Sequence, residues 1–488
     1  MQELLLGGKQ SLKVAMDAAM ANRHGMISGA TGTGKTVTLQ IMAEGFAKIG
    51  VPVFLADIKG DLSGIAQAGQ ANPKIKERLE QIGIADFQPH GNPTLFWDIF
   101  GKSGHPIRTT ISDIGPLLLS NLLELNETQT GVMYSCFKIA DDNGLLLLDL
   151  KDLRSMLNWM GQESKSLQTE YGNIAPASIG AIQRQLLILE EQGAEHFFGE
   201  PALSLEDFCK TDFSGNGVIS ILDATQLTTR SPRLYATFLL WLLSELFETL
   251  PEVGDADRPK LVLFFDEAHL LFDQAPKALL DKIEQIVRLI RSKGVGIYFI
   301  SQSPLDIPEG VLGQLGVKVQ HALRAYTPKD QQVVKSVAET FRSNPSLDTE
   351  TTIQELKTGE ALVSVLNQDG SPTQVERIYI RPPESQIGPL TEAQRSELMN
   401  RSPMKGRYEQ AIDRESAYEL LKKRAEQTLL SEAEAQEYKT TRKSSGRPAR
   451  QRETATEALI KSAARSIGSS VGKQIVRGIL GSLLNGRR

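Results

Sequence analysis

A mainly parallel β-sheet flanked by helices is the architecture that this 488-residue chain predicts, and three stretches predict it. The first is Gly29-Ala30-Thr31-Gly32-Thr33-Gly34-Lys35-Thr36, which fits G-x-x-x-x-G-K-[ST] at every fixed position. The second is residues 260–265 (KLVLFF), an apolar run that delivers Asp266-Glu267-Ala268-His269. The third is residues 295–301 (VGIYFIS), which delivers Gln302. Short apolar runs closed by polar residues are the pattern of strands covered on both faces, as parallel strands are.

Each residue type in the first stretch has a mechanical reason. The glycines let backbone N–H groups close around phosphate oxygens, Lys35 reaches β and γ phosphates, and the Thr36 hydroxyl suits Mg2+. Residues 25–28 read as a short strand before the loop. Residues 37–48 (VTLQIMAEGFAK) read as an amphipathic helix stopped at Gly50, so the loop sits at a helix N-terminus, where anions bind. The 24 residues ahead of this strand are too few for a domain, so the core is expected to start almost at residue 1. Residues 51–56 (VPVFLA) read as the next buried strand and end in Asp57-Ile58-Lys59-Gly60-Asp61, at the place where open α/β sheets bind ligands. Asp57 there either faces the nucleotide or caps its own loop.

From about residue 107 to 208 the periodicity turns helical. Residues 117–125 are Leu-rich, Asn126-Glu127-Thr128-Gln129 has the form of a capping box, and Asp142-Asn143-Gly144 is a turn signal. This reads as a helical insertion, either a substrate contact or a lid and packing element. The sheet resumes at residues 217–223 (GVISILD), followed by an apolar helix over 234–248. Where the strand 260–265 ends, Asp266 suits the Mg2+ shell and Glu267 suits polarising an attacking water; the bland alternative is a helix cap. Asp-Glu-Ala-His also occurs in a class of RNA and DNA helicases, but no second ATPase-like lobe or arginine-rich closing motif is present. Residues 280–291 read as a helix ended by Gly294. Gln302, at the tip of the strand beside the Asp-Glu strand, suits sensing the γ-phosphate. Arg288 and Arg291 share a face at a helix C-terminus, where the dipole favours cations. The sharper role for Arg291 is a finger reaching a neighbouring subunit's nucleotide. Residues 317–323, 360–366 and 374–380 read as closing strands, the last two as a hairpin around Asp369-Gly370, and Pro382-Pro383 ends the compact part.

Composition bounds the partners. Forty per cent hydrophobic and 23% charged residues with a net charge of -5 describe an ordinary globular protein with no overall bias toward a charged partner. The charge is unevenly spread: residues 389–488 hold 20 Lys+Arg against 12 Asp+Glu, about +8, and residues 1–388 hold 34 against 47, about -13. The predicted domains are therefore a core over 1–388 that includes the insertion, and a basic, partly disordered tail over 389–488. Residues 444–452 (SSGRPARQR) read as a flexible linker, and residues 458–484 as an amphipathic, Gly-punctuated basic helix suited to an unidentified protein partner. Cys136 and Cys209 form neither a disulfide framework nor a metal cluster, and MQELLLGGKQ is no signal peptide, which together predict a cytoplasmic protein. The longest apolar runs, such as 238–243, fall far short of the roughly 18 residues of a membrane span.

GATGTGKT at 29–36, LVLFFDEAH at 261–269 and RSKGVGIYFISQSP at 291–304 together resemble the HerA-FtsK superfamily of hexameric P-loop motor ATPases. FWDIFGKSGHPIRTTISDIGPLLLS and ADDNGLLLLDLKDLRSML are similar to a bacterial family of HerA-like helicase-domain proteins, and the likeness covers nearly the whole chain. The resemblance implies a RecA-like core, ATP and Mg2+ as cofactors, and a homo-oligomeric ring acting on DNA. It gives Lys35, Thr36, Asp266, Glu267 and Gln302 the roles argued above and aligns Arg291 with the finger of the conjugative coupling members. HerA proper carries an N-terminal β-barrel for which this sequence has no room, so docking to a nuclease through a barrel is not expected. Two rivals to DNA movement stand beside it: a nucleotide-gated binding or assembly protein, and a motor acting on protein.

Overall fold

The computed structural model describes residues 2–443 apart from 255 and 274–276, so the linker at 444–452 and the helix expected at 458–484 lie outside the described residues. The described residues divide into two compact units. One comprises the described residues up to Arg108, Gln192–Phe197 and Pro201–Ala411; the other comprises Thr109–Glu191, Phe198–Glu200 and the described residues from Ile412 onward.

The first unit is built on one sheet. Its strands are β1 (Glu3–Lys9), β2 (Leu12–Asp17), β3 (Gly25–Ser28), β4 (Val53–Asp57), β5 (Thr94–Asp98), β6 (His105–Pro106), β7 (Ile219–Asp223), β8 (Leu261–Phe265), β9 (Val295–Ser301), β10 (Val317–Gln320), β11 (Glu360–Ser364) and β12 (Glu376–Ile380). They lie side by side in the order β2-β1-β12-β11-β10-β3-β9-β8-β4-β7-β5-β6. From β10 through β6 every neighbouring pair is parallel, and from β10 back to β2 every pair is antiparallel. The central parallel strands are buried as strands covered on both faces are: β8, β9 and β4 are buried at every position. The helix Lys35–Lys48 lays Leu39, Met42, Phe46 and Ala47 on this sheet. Phe46 meets Phe264 and Tyr298, whose rings stack at 5.1 Å. Each such large side chain contributes about 1.5–3 kcal/mol by leaving water.

Ahead of β3 lies a hairpin that the sequence did not disclose. β1 and β2 pair with each other, and β1 joins β12 at Gly7↔Ile380 and Gly8↔Tyr379, putting Leu4, Leu6, Val14 and Met16 into the same core. Gly7 is required there. A Cβ on it would stand 2.0 Å from the Tyr379 carbonyl oxygen. The expected hairpin around Asp369-Gly370 is the β11–β12 pair, with Asp369 accepting from the Ser371 N–H and hydroxyl. The short strands β5 and β6 were also missed. On the chain beyond β12, residues 389–411 cluster with this unit: the Leu390 N–H donates to Ser63 Oγ, and Arg395 pairs with Asp223 at 3.3 Å over the Phe96 ring.

The second unit is helical: Ile111–Leu122, Glu127–Asp142, Leu150–Gln162, Ser164–Tyr171, Pro176–Glu191 and Ala417–Lys443. The capping box expected at Asn126 is present, its side chain accepting from Gln129 N–H while Gln129 Oε1 accepts from Asn126 N–H. Thr110 with Asp113 and Asp149 with Asp152 form two more. The Leu-rich run 117–125 is broken at its start by Gly115, at φ 74°, followed by Pro116. Apolar faces bearing Met133, Cys136, Ile139, Leu153, Met156, Leu157, Ile182 and Leu186 are buried. The start of the last helix is anchored to the same unit: Asp152 Oδ1 accepts from the Ser416 hydroxyl at 2.5 Å and from the Tyr418 N–H at 2.8 Å. Among the described residues no helix is long and apolar enough to cross a membrane.

Candidate active site

The strand order decides which side chains meet. β3 leads into the phosphate-type loop, β8 ends in Asp266-Glu267, and β9, which ends in Gln302, lies between them. All three run parallel, so their C-terminal ends open on one edge of the sheet, where such sheets bind ligands. β4, which pairs with β8, brings residues 57–61 to that same edge.

The loop is held from beneath. Gly29 has φ 146°, and a Cβ there would lie 2.5 Å from the Cβ of His321; Gly34, at φ 121°, starts the helix. The Gly29 N–H donates to the Gln302 carbonyl at 3.2 Å and the Ala30 N–H to the Ala322 carbonyl at 2.8 Å. His321 is buried, its Nε2 2.9 Å from Thr38 Oγ1 and its Nδ1 3.0 Å from the Glu360 carbonyl. Burial, with a smaller push from Lys35, lowers its pKa to about 4, so it is a neutral buttress. The Gly359 N–H donates to the Thr33 carbonyl at 2.9 Å and closes the other side. These supports lie far along the chain from the loop and follow no motif, so sequence reasoning did not find them.

Lys35 folds onto its own loop, donating to the Gly29 carbonyl at 2.5 Å and the Ala30 carbonyl at 3.2 Å. Burial and the nearby Lys59 ammonium lower its pKa, against the pull of Glu267 and Asp266. Ala30, Thr31 and Gly32 line the open rim, with Thr31 and Gly32 exposed, while Thr33 is buried and Thr36 half-buried. Asp266 is buried, and burial raises its pKa although Lys59 opposes the shift. Its Oδ1 accepts from the Glu267 N–H at 3.0 Å. Glu267 sits at φ 45°, a left-handed conformation that L-residues with a side chain seldom adopt and that concentrates at functional sites. The Ala268 N–H, donating to the Ile300 carbonyl, ties this turn to β9.

A divalent cation fits this arrangement. Glu267 Oε2 is buried without a hydrogen bond, His269 Nδ1 standing 3.5 Å away, so the acidic pair has acceptor capacity that the protein does not fill. No group of three or more His, Cys, Asp or Glu able to hold a metal occurs among the described residues. Mg2+ characteristically takes one or two protein oxygens and completes its shell with phosphates and water. Thr36 and Asp266 are the pair suited to it.

The residues singled out in the sequence thus fall into two places. The loop 29–36, Asp266, Glu267 and Gln302 share one edge; the Gln302 side chain is exposed there. Arg291 lies in a short 3-10 turn, Ile290–Lys293, ahead of β9 and therefore at the opposite edge. The seven residues of β9 separate the two by about 20 Å, beyond the reach of one side chain. Asp57 takes the capping alternative: Oδ1 accepts from the Gly60 N–H and Oδ2 from the Leu62 N–H. Its burial raises its pKa to about 7. The side chain from that cluster which faces the acids is Lys59, 3.0 Å from Glu267 Oε1 and 3.8 Å from Asp266 Oδ2. A lone Lys among Asp residues at a strand's C-terminal end was the available signal. An open cavity of about 360 Å³ lies elsewhere, along the antiparallel part of the sheet, between Lys13, Arg342, Val365 and Glu376.

The Helicase HerA-like C-terminal family matches residues 2–488. Probable helicase MJECL08 of Methanocaldococcus jannaschii is 31% identical over 125 residues, 25% of this chain and 22% of that protein. The DNA double-strand break repair helicase HerA of Sulfolobus acidocaldarius is 20% identical over 368 residues, 74% of this chain and 65% of that protein. The chain thus spans less than two thirds of the length of either relative. Among solved structures the unbound bacterial conjugative coupling protein TrwBdeltaN70 superposes with a TM-score of 0.52 at 13% identity, covering 78% of this chain and 91% of that one, a likeness of fold. With the family matched over residues 2–488, the chain belongs to the HerA-like helicase C-terminal family of P-loop ATPases.

Proposed function

We propose that the protein hydrolyses ATP with Mg2+ and, assembled as a hexameric ring, couples hydrolysis to movement along DNA. The observation that carries this reading is the strand order, which brings the loop 29–36, Asp266-Glu267 and Gln302 to one edge of one sheet. The backbone N–H groups of the loop and the Lys35 ammonium bind and orient the phosphates. Thr36 and Asp266 would hold Mg2+, which would supply charge neutralisation on the phosphate oxygens. Glu267 orients the attacking water and takes up its proton, and Gln302 stands where the γ-phosphate of a bound nucleotide would be sensed. Arg291, at the opposite edge, is suited to a neighbour's nucleotide rather than its own. The name of the Sulfolobus relative, a DNA repair helicase, favours DNA over protein as the track. The thiols, Cys136 buried and Cys209 half-buried, fit a reducing cytoplasm.

The test is ATP hydrolysis measured with and without duplex DNA, together with particle mass with and without ATP. Hydrolysis that rises with DNA in a ring-sized particle is expected. Hydrolysis indifferent to DNA would favour a motor on protein, and nucleotide binding without turnover would favour a gated assembly protein.

A further inference from the structure

The nucleotide reading of the site, on which this inference rests, assigns no part to Lys59, although Lys59 is the cation against the acidic pair. Lys35 hydrogen-bonds the Gly29 and Ala30 carbonyls, not the acids. Lys59 Nζ lies 3.0 Å from Glu267 Oε1 and 3.8 Å from Asp266 Oδ2. Partners differ in freedom. The Asp266 and Glu267 side chains are 9% and 13% exposed, whereas Lys59 is 39% exposed, a flexible stem reaching in from solvent. The backbone that carries it is fixed, since Asp57 takes the Gly60 and Leu62 N–H groups. The ammonium can therefore leave the acids without the loop moving.

A divalent cation ligated by Asp266 would take the carboxylate whose Oδ2 lies 3.8 Å from Lys59 Nζ, its Oδ1 already accepting from the Glu267 N–H, and the two positive charges would repel at that range. We propose that Lys59, held by Glu267, opposes Mg2+ at Asp266, so that it sets the Mg2+ concentration at which nucleotide binds. The displaced ammonium has the phosphates of the incoming nucleotide as its nearest new anions, which makes the exchange require Mg2+ and nucleotide together. Lys59 is then a positioning residue that acts through the acidic pair.

The experiment titrates Mg2+ against binding of a fluorescent ADP analogue, which involves no turnover, for wild type, Lys59→Met, Lys59→Arg and Asp266→Asn. Lys59→Met is expected to lower the half-saturating Mg2+ about fivefold and Lys59→Arg to keep it within about twofold, the range expected for a partly exposed ion pair. Asp266→Asn should raise it. An unchanged or higher Mg2+ requirement in Lys59→Met, with Asp266→Asn behaving as expected, overturns the role of Lys59 alone. A wild-type chain that binds no analogue at any Mg2+ concentration overturns the nucleotide site and this inference with it. A second measurement needs no variant: reductive methylation of the wild-type lysines, read by mass spectrometry. Lys59 should label slowly in the free protein and several-fold faster with Mg2+ and ADP. Equal labelling in both conditions would contradict the exchange.

Discussion

At the scale of the residue, Lys35 and Glu267 separate binding from chemistry. In the proposed mechanism Lys35 grips phosphate, so Lys35→Ala should lower nucleotide affinity by tenfold or more, the order of one charge-assisted hydrogen bond. In the same proposal Glu267 serves the water, so Glu267→Gln should keep nucleotide bound while turnover falls about a hundredfold or more. Equilibrium binding and single-turnover hydrolysis on both variants check this; an equal fall in affinity would remove Glu267 from the water-positioning role. Asp57 carries a different prediction. Its folded pKa, near 7, lies above the ordinary carboxylate value of 3.8 because it is buried. The folded protein therefore keeps a proton that the unfolded chain releases, and stability contributed by Asp57 falls as pH rises from about 4 to 7. Asp57→Asn should flatten that stretch of the stability curve, by up to about 4 kcal/mol across the window. Urea unfolding of both proteins at several pH values reads the slope, and parallel curves would show that the carboxyl titrates normally.

At the scale of the element, the N-terminal hairpin shows how a weak local signal becomes part of a core. ELLLGGK and LKVAMD are short, and Gly7-Gly8 breaks their alternation of apolar and polar residues. The glycines are there because the neighbouring backbone leaves no space for a side chain: a Cβ at Gly8 would lie 2.3 Å from the Leu12 carbonyl oxygen. Gly7→Val should force β1 off β12 and lower stability by about 2 kcal/mol or more, seen as a lower melting temperature. A melting point equal to wild type would mean that the β1–β12 pairing contributes little. The strands β8 and β9 were legible for the opposite reason, being continuous apolar runs with polar ends, and the Asn126 capping box was legible because its partners are three residues apart.

At the scale of the whole molecule, two expectations concern assembly. Arg291 at the edge opposite its own loop predicts complementation. Arg291→Ala and Glu267→Gln proteins, inactive separately, should regain part of the hydrolysis when mixed, because some subunit boundaries then hold both intact groups. Mixtures that stay inactive despite proven subunit exchange would leave Arg291 a helix-end cation. The tail carries the other expectation. Residues 389–411 cluster with the sheet unit and Ser416 with the helical unit, so a cut at 389 would remove folded structure. Residues 444–488 hold 9 Lys+Arg against 2 Asp+Glu, about +7, nearly all of the tail's excess. Removing only these residues should weaken DNA binding and flatten its salt dependence by about 0.9 in log-log slope for each duplex phosphate that the shortened chain no longer neutralises. An unchanged slope would exclude that DNA role, and particle mass on the same samples would report any part in assembly.

What the sequence determined by itself are the parts that are contiguous. The loop 29–36, the Asp266-Glu267 strand end and the buried strands each depend on residues within a few positions of one another, so local pattern sufficed. Tertiary structure alone decided what those parts face. It set β3 against the other side of β9 from β8, turned Asp57 inward to cap its loop and put Lys59 on the acids. It also placed His321, nearly three hundred residues from the loop, beneath Gly29. The physical reason is common to all four: burial and charge pairing depend on which strands become neighbours, and strand order joins distant parts of the chain through hydrogen bonds that no local spacing records.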